Sequence, residues 1–414
     1  MFERLYKDSD TCSSHRSAPF LQERERYLES LRQRGYSKRS LRQIASKLLV
    51  VIREMGPDAV RRADVAEINA AAEKFKRGRR RLASHPEPKR PGEYFKCFAT
   101  NWLRFLGWLR EPKPAPLPYA PFLEDFCVWM RDERNLSPET IKTTRRYVNE
   151  LLRWHHGRGG KIQALGLSEV DAFLSEYGTK RWSRPTVAGA ADTFRAFFRY
   201  GAMRGWWCPS IAEAIEGPIV YREETLPSGP AWDDVGRLLA SLKPDDPTDI
   251  RDRAMILLLA VYGLRAGEVA RLSLEDIRWE PKELLVRRSK SRTRHTYPLV
   301  AAVAEALWIY LLRRPDCDLS EVFVTMRAPF KPVSRHVIYN GVANRLMSLG
   351  VHLNHRGPHS LRHACAARLV SRGLSLKEIG DHLGHRTTAA TRIYAKVDLP
   401  HLREVASFDL GGLA

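Results

Sequence analysis

Residues 283–299 read ELLVRRSKSRTRHTYPL, and this stretch decides which kind of fold the C-terminal part of the chain adopts. Apolar and β-branched side chains at 284–286 and 296–299 favour two short strands, and the basic residues between them predict a turn. Helical patterns flank the stretch, such as WDDVGRLLASL from Trp232 and RDRAMILLLAVYG from Arg251. The sequence therefore predicts an α+β domain with a small antiparallel sheet over residues 226–414.

Proline-rich segments separate this domain from two helical segments that precede it. The first break is EPKPAPLP at 111–118, and the second runs from EGPI at 216–219 to LPSGP at 226–230. Proline lacks the N–H donor that a helix needs, so these stretches end the helices on either side. We expect helical domains at 1–112 and 118–216, followed by the domain at 226–414, in a mainly α multi-domain chain.

The two helical segments share an order of features about a hundred residues apart. APFL opens each of them, at Ala18 and at Ala120, and a turn and a basic amphipathic helix follow. Ser37 and Ser137 each stand where a side chain would cap that second helix. The shared order favours an extra copy of the second domain in the first, although amphipathic helices can also resemble each other by chance.

The charge of the chain points to a polyanionic partner. Lys and Arg number 69 against 48 Asp and Glu, which gives a net charge of +21 and a pI near 9.9. Such a surface attracts the phosphates of double-stranded DNA, although a basic ribosome-associated protein has the same composition. We expect phosphate contacts from Arg145 and Arg146 in the second domain, and from Arg288 and Arg292 in the basic turn.

The cysteine pattern and the longest apolar run exclude other classes. The six cysteines are scattered without zinc-ligand spacing, which predicts reduced thiols and no metal site. The run MILLLAVYGL at 255–264 is about half the length that spans a bilayer, so it predicts a buried helix. We expect a cytoplasmic protein without a membrane partner.

Six polar residues in the third segment form an ordered set of candidate catalytic groups. Each alone has an ordinary structural explanation, such as a surface ion pair, a helix cap or a buried tyrosine. Their joint order and spacing are harder to explain in this way. The six are Arg265, Lys290, His359, Arg362, His385 and Tyr394.

The sequences around these residues resemble the tyrosine recombinase (phage integrase) family. The resemblance rests on GLRAGEVARLSLEDI, KSRTRHTYPL, HSLRHACAARLVSRG and IGDHLGHRTTAATRIYAKV, which together cover nearly all of residues 230–400. Residues 118–215 resemble, with weaker motifs, the helical SAM-like core-binding domain of that family. The resemblance implies SAM-like helical DNA-binding domains followed by an α+β catalytic domain.

The chemistry of phosphodiester exchange agrees with this resemblance. Charge on two non-bridging oxygens must be neutralised while the attacking and leaving oxygens stand in line. Two permanently charged, forked guanidinium groups suit this task, so Arg265 and Arg362 fit a phosphate clamp. Tyr394 would be the nucleophile, and its phenol needs a nearby base or cations because its ordinary pKa is about 10.

The resemblance implies roles for the remaining residues. His359 would manage the tyrosine proton, Lys290 would be the general acid for the leaving 5′-hydroxyl, and His385 would donate to a non-bridging oxygen. Glu268 is expected to orient the neighbouring arginine. His363 directly follows a clamp arginine, so we expect it to face another side of its helix and to be at most a supporting residue.

The expected product of attack is a 3′-phosphotyrosyl bond, which conserves phosphodiester energy and requires no ATP, metal or other cofactor. The resemblance implies a homotetramer on two paired DNA sites in a mobile element, accessory recombinases as further partners, and a C-terminal tail docked on a neighbouring protomer. Two alternatives are a type IB-like topoisomerase, which uses the same chemistry, and a catalytically inactive DNA-binding regulator.

Overall fold

The computed structural model describes residues 1–61, 63–80, 91–111, 117–221, 228–288, 293–385, 387 and 389–394. The chain divides into two compact units, one comprising Lys113–Thr225 and the other comprising Met1–Pro112 together with Leu226–Ala414. Most of the described residues are helical, and one antiparallel sheet of three strands is present. The predicted fold class is confirmed. Among the described helices, none is both long and apolar enough to cross a membrane.

Seven helices form the N-terminal part of the first unit. They enclose a core of their own in which Leu28, Leu48, Trp102 and Leu103 are completely buried. Their bounds are Phe2–Leu5 (α1), Ser9–Ser17 (α2), Leu21–Gln33 (α3), Lys38–Met55 (α4), Pro57–Val60 (α5), Val65–Arg80 (α6) and Pro91–Leu106 (α7).

The second unit is entirely helical in its described residues. Its core is aromatic, with Phe126, Phe173, Phe194, Phe197 and Phe198 completely buried. A 3₁₀ turn at Ile162–Ala164 and a π-helical segment at Phe173–Gly178 interrupt the α-helices. The α-helices are Ala120–Asp132 (α8), Pro138–Gly157 (α9), Leu167–Ala172 (α10), Thr179–Arg181 (α11), Arg184–Met203 (α12) and Ser210–Ala214 (α13).

The two predicted helix caps are confirmed. The Ser37 hydroxyl accepts the backbone N–H of Ser40, and the Ser137 hydroxyl accepts that of Thr140, each at 3.2 Å. Because the first N–H groups of a helix have no partner within the helix, these hydroxyls fix where α4 and α9 begin. The order of the main helices is also similar in the two segments: α3, α4, α6 and α7 in the first correspond in order to α8, α9, α10 and α12 in the second.

The residues after 228 combine helices with the predicted sheet. The sheet has the order β1-β2-β3, and Leu284 in β2 pairs with Ile277 on one side and with Tyr297 on the other. Strands β2 and β3 were predicted, whereas the two-residue β1 was not. The elements are Trp232–Ala240 (α14), Pro247–Val261 (α15), Ala266–Val269 (α16), Ile277–Arg278 (β1), Glu283–Arg287 (β2), Arg294–Pro298 (β3), Ala301–Arg313 (α17), Arg335–Ser348 (α18), Pro358–Ser371 (α19), Leu376–Leu383 (α20) and Ala389–Arg392 (α21).

The apolar run predicted to be a buried helix is the centre of this part of the fold. Helix α15 packs against both α17 and α19, and Leu258 and Leu259 are completely buried. The chain leaves α15 through Tyr262 and Gly263 and arrives directly at Arg265. The buried helix therefore fixes the position of the first candidate catalytic residue.

We predict that Ser137→Ala weakens the start of α9 by about 1 kcal/mol, because the Thr140 N–H loses its acceptor. Hydrogen exchange of the amides in the first turn of α9 should accelerate about fivefold. Thr143→Ala is the matched control, since its exposed hydroxyl bonds only to the Glu139 carbonyl within the same helix. Equal exchange in both variants would contradict the capping role.

Candidate active site

A buried carboxylate organises the first part of the site. Glu268 is only 3% exposed. One of its oxygens accepts the Arg265 guanidinium at 3.0 Å, and the other accepts the Arg265 backbone N–H at 2.8 Å and the Arg288 guanidinium at 2.9 Å. Two arginines thus share one carboxylate that is almost completely removed from water. The contact with Arg265 is the orienting contact expected of Glu268.

The prediction that Arg288 contacts a DNA phosphate is wrong for this structure. Its side chain is buried, and besides the Glu268 carboxylate it donates to the His382 carbonyl at 3.2 Å and to the Tyr297 hydroxyl. The Tyr297 hydroxyl in turn donates to the same His382 carbonyl. Arg288 therefore connects the end of β2 to α20. Its position in a run of basic residues gave no sign of this burial.

Arg362 is also buried, at 1% exposure, and connects two other segments. One terminal nitrogen donates to the Gly263 carbonyl at 2.5 Å and the other to the Leu383 carbonyl at 2.9 Å. Desolvation, followed by repulsion from Arg265, lowers the pKa of the Arg362 guanidinium to about 10. The group still carries its charge at neutral pH.

Tyr394 lies in the turn that follows α21, with only 2% of its surface exposed. Its hydroxyl is 3.0 Å from Nδ1 of His363. Burial raises the pKa of this phenol to about 12, while the positive charges of Arg362 and Arg265 act in the opposite direction. The phenol is therefore protonated at neutral pH, so its hydroxyl can donate the hydrogen bond to the histidine.

His363, which we expected to be at most a supporting residue, is the hydrogen-bond partner of the candidate nucleophile. Burial, followed by the charges of His359 and Arg362, lowers the pKa of His363 to about 4. The ring is neutral at neutral pH, so Nδ1 can accept the phenolic proton. Consecutive helix residues point about 100° apart. His363 therefore faces a different side of α19 from Arg362, and Tyr394 contacts it on that side. The spacing of residues along one helix cannot reveal such a contact.

The His385 ring is parallel to the ring of Tyr394, and their centroids are 6.4 Å apart. Gly384 ends α20 in the left-handed conformation, with φ of 65°, and turns the chain into this position. Nδ1 of His385 is 2.7 Å from the Thr391 hydroxyl. Burial, followed by the charge of Arg362, lowers the pKa of His385 to about 4. A neutral ring that accepts the Thr391 proton at Nδ1 carries its hydrogen on Nε2.

His359 is exposed on α19, and its ring centroid is 4.6 Å from that of His363. Arg265, Arg362, His385 and Tyr394 thus gather around one region together with His363. The candidate residues Lys290 and Arg292 lie outside the described residues.

The two arginines predicted to contact DNA from the second domain are exposed on α9 in the second unit. Arg145 forms an ion pair with Glu124 at 2.8 Å. The Arg146 guanidinium lies 4.6 Å from the centroid of the Tyr147 ring. Both side chains are exposed to solvent, and one terminal nitrogen of Arg145 is paired with the Glu124 carboxylate.

Two protein-family models match this chain, one in its C-terminal part and one in its second helical segment. Residues 231–401 match the model of the phage integrase family, and residues 123–205 match that of its N-terminal SAM-like domain. A putative integrase/recombinase of Sinorhizobium fredii, y4rF, is 34% identical over 313 residues, which cover 73% of this chain and 72% of that protein. The chain belongs to the phage integrase family. The enzyme class expected of this tyrosine recombinase, cleavage and rejoining of DNA strands, is thereby confirmed.

Other members of the family are similar over most of their length. Tyrosine recombinase XerC of Thermodesulfovibrio yellowstonii is 28% identical, over 69% of this chain and 94% of that protein. The crystal structure of the XerH recombinase, bound to its palindromic difH substrate after cleavage, superposes with a TM-score of 0.57 at 20% identity. That match covers 83% of this chain and 96% of XerH. It shows a common fold.

We predict that Glu268→Gln destabilises the recombinase by about 3–5 kcal/mol, because the buried charge of Arg288 loses its carboxylate. Denaturant unfolding monitored by circular dichroism measures this loss. Glu275→Gln, at an exposed position on the same segment, should stay within about 0.5 kcal/mol of the wild type. Equal stability of the two variants would contradict the organising role of Glu268.

We also predict a loss of stability in mild acid. The pKa values of His363 and His385 are lowered from 6.5 to about 4 in the folded chain, so the unfolded chain binds more protons between these values. Their contribution is fully present above pH 6.5 and is lost as the pH falls toward 4.

Denaturant unfolding across this pH window measures the effect. The double variant His363→Gln/His385→Gln should lose less stability on acidification than the wild type. His336→Gln, at an exposed histidine on α18, should follow the wild type. An unchanged slope in the double variant would show that the two rings do not carry the acid sensitivity.

Proposed function

We propose that this chain is a site-specific DNA recombinase that cleaves its substrate through a 3′-phosphotyrosyl intermediate, with Tyr394 as the nucleophile. The observation that carries the proposal is the position of the Tyr394 hydroxyl. It is hydrogen-bonded to His363 and lies in the field of Arg265 and Arg362, whose charges oppose the rise of its pKa. Cations beside a phenol favour the phenolate that attacks phosphorus.

Arg265 and Arg362 are proposed to hold the two non-bridging oxygens of the scissile phosphate. A guanidinium has five N–H donors, and the two bonds of Arg362 to backbone carbonyls leave others for a ligand. These bonds hold the group in place before DNA arrives, so little reorganisation is needed during the reaction. The Glu268 carboxylate holds Arg265 in the same way.

Three further residues complete the proposed reaction. His385 would donate from Nε2 to a non-bridging oxygen, which is consistent with the bond between its Nδ1 and Thr391. Lys290 is proposed as the general acid that protonates the leaving 5′-oxygen, as the sequence resemblance implies. His359 is proposed to assist with the tyrosine proton from its position beside His363.

Residues 1–112, 118–216 and 226–414 are proposed as separate domains. Support comes from three hydrophobic regions: residues 2–103, residues 119–215, and the residues from 235 onward that form one large and one small cluster. Double-stranded DNA is the proposed substrate, and Arg145, Arg146 and Arg292 are the proposed phosphate contacts. Neutralising several phosphates would make binding strongly dependent on salt concentration.

We further propose that four protomers exchange strands between two DNA sites in a mobile element, with each C-terminal tail docked on a neighbour and with accessory recombinases as further partners. The integrase/recombinase name of the Sinorhizobium relative supports this biological setting. A type IB-like topoisomerase would use the same catalytic groups without pairing two sites. Two short duplexes carrying the site should yield a four-way junction with the recombinase, whereas relaxation of supercoils without junctions would favour the topoisomerase.

We predict that Tyr394→Phe abolishes the covalent protein–DNA adduct on a nicked suicide substrate, because phenylalanine has no oxygen to attack phosphorus. DNA binding should persist, since the basic side chains are unchanged. Tyr339→Phe, at an exposed tyrosine on α18, should still form the adduct. Gel analysis under denaturing conditions detects the adduct. An adduct formed by Tyr394→Phe would refute the assignment of the nucleophile.

A further inference from the structure

We propose that His363 is the proton acceptor for Tyr394, taking the phenolic proton on Nδ1 as the phenolate oxygen attacks phosphorus. This inference rests on the proposed function of Tyr394 as the nucleophile. It assigns catalysis to a histidine that follows Arg362 in the sequence and that the six-residue set does not contain.

The geometry distinguishes His363 from the other two histidines of the site. Its Nδ1 is 3.0 Å from the Tyr394 hydroxyl, which is ordinary hydrogen-bond distance and within reach of direct proton transfer. His385 instead directs its Nδ1 to Thr391 at 2.7 Å, and its ring centroid is 6.4 Å from that of Tyr394. His359 contacts the ring of His363, with the centroids 4.6 Å apart.

The surroundings of His363 keep its ring unprotonated at neutral pH. The ionisable groups that act on it are His359 and Arg362 on its own helix and His355 before that helix, and Tyr394 contacts it from the turn after α21. Three of these can be positively charged, and together with burial they lower the pKa of His363 to about 4. A neutral ring with a free lone pair on Nδ1 is the state that accepts the phenolic hydrogen.

The proposed step balances without any further reactant. The O–H bond of Tyr394 breaks and an N–H bond forms at Nδ1 of His363. The phenolate oxygen forms a bond to phosphorus while the bond between phosphorus and the 5′-oxygen breaks, and the leaving oxygen takes a proton from the general acid. Religation must return a proton to the tyrosine oxygen, and the same nitrogen of His363 can supply it, so one group serves both directions.

The first test measures adduct formation on the suicide substrate in single turnover. His363→Gln retains a hydrogen-bonding side chain but cannot carry the proton, so the rate should fall about 10²–10⁴-fold. His336→Gln, at the exposed histidine that contacts Asn340, is the matched control and should react at the wild-type rate. A wild-type rate for His363→Gln would overturn the proposal.

Two chemical substitutions separate proton acceptance from a purely structural role. Incorporating 3,5-difluorotyrosine at position 394 lowers the pKa of the phenol, so the rate deficit of His363→Gln should shrink. A substrate with sulfur in place of the 5′-bridging oxygen needs no protonation of its leaving group, and His363→Gln should remain slow on it. An unchanged deficit with the fluorinated tyrosine, or restoration by the sulfur substrate, would overturn the proposal.

A measurement on the chain with His363 intact covers the case in which His363→Gln fails to fold. Nitrogen NMR of ¹⁵N-histidine-labelled protein should show Nδ1 of His363 without a hydrogen, and this signal should shift in Tyr394→Phe. A hydrogen on Nδ1 would overturn the proposal. The function proposed for Tyr394 fails separately, because an adduct in Tyr394→Phe would refute the nucleophile whatever His363 does.

Discussion

The arrangement of this site depends on one interaction, the sharing of the buried Glu268 carboxylate by Arg265 and Arg288. A charge in the protein interior is costly unless it is paired and hydrogen-bonded, so Glu268 and Arg288 stabilise each other's burial, and the partly exposed Arg265 adds a second cation to the same carboxylate. Arg288 extends the network to the backbone of α20 through the His382 carbonyl. The short helix that begins at Arg265, the end of β2 and the last turn of α20 are therefore connected through charged groups as well as apolar packing.

Arg362 also connects two segments of the site, through backbone carbonyls. Its bonds reach the carbonyls of Gly263, two residues before Arg265, and of Leu383, two residues before His385. A displacement of either segment would leave a buried guanidinium without its acceptors, which is energetically costly. The fixed position of Arg362 thus also fixes the two neighbouring candidate groups. A rigid cationic site of this kind stabilises developing charge on a phosphate without reorganising during the reaction.

The sequence predicted features that local chemistry determines. Ser37 and Ser137 cap the helices expected, the strands around residues 284 and 297 pair as predicted, and the apolar run after Arg251 is a buried helix. Arg265, Arg362, His385 and Tyr394 also gather in one region. The burial of Arg288 and the contact of His363 with Tyr394 were not predicted, because both depend on segments that approach from elsewhere in the chain. Neither a basic run nor the spacing along one helix contains that information.

The central claim is that the cationic site neutralises the scissile phosphate during attack by Tyr394. It is tested most directly by pairing Arg265→Ala with a substrate in which a methyl group replaces one charged non-bridging oxygen. If Arg265 supplies charge neutralisation, the neutral methylphosphonate should restore adduct formation to the variant relative to its activity on the ordinary phosphate. If the variant is equally impaired on both substrates, Arg265 does not serve as a charge-neutralising clamp and the account is contradicted.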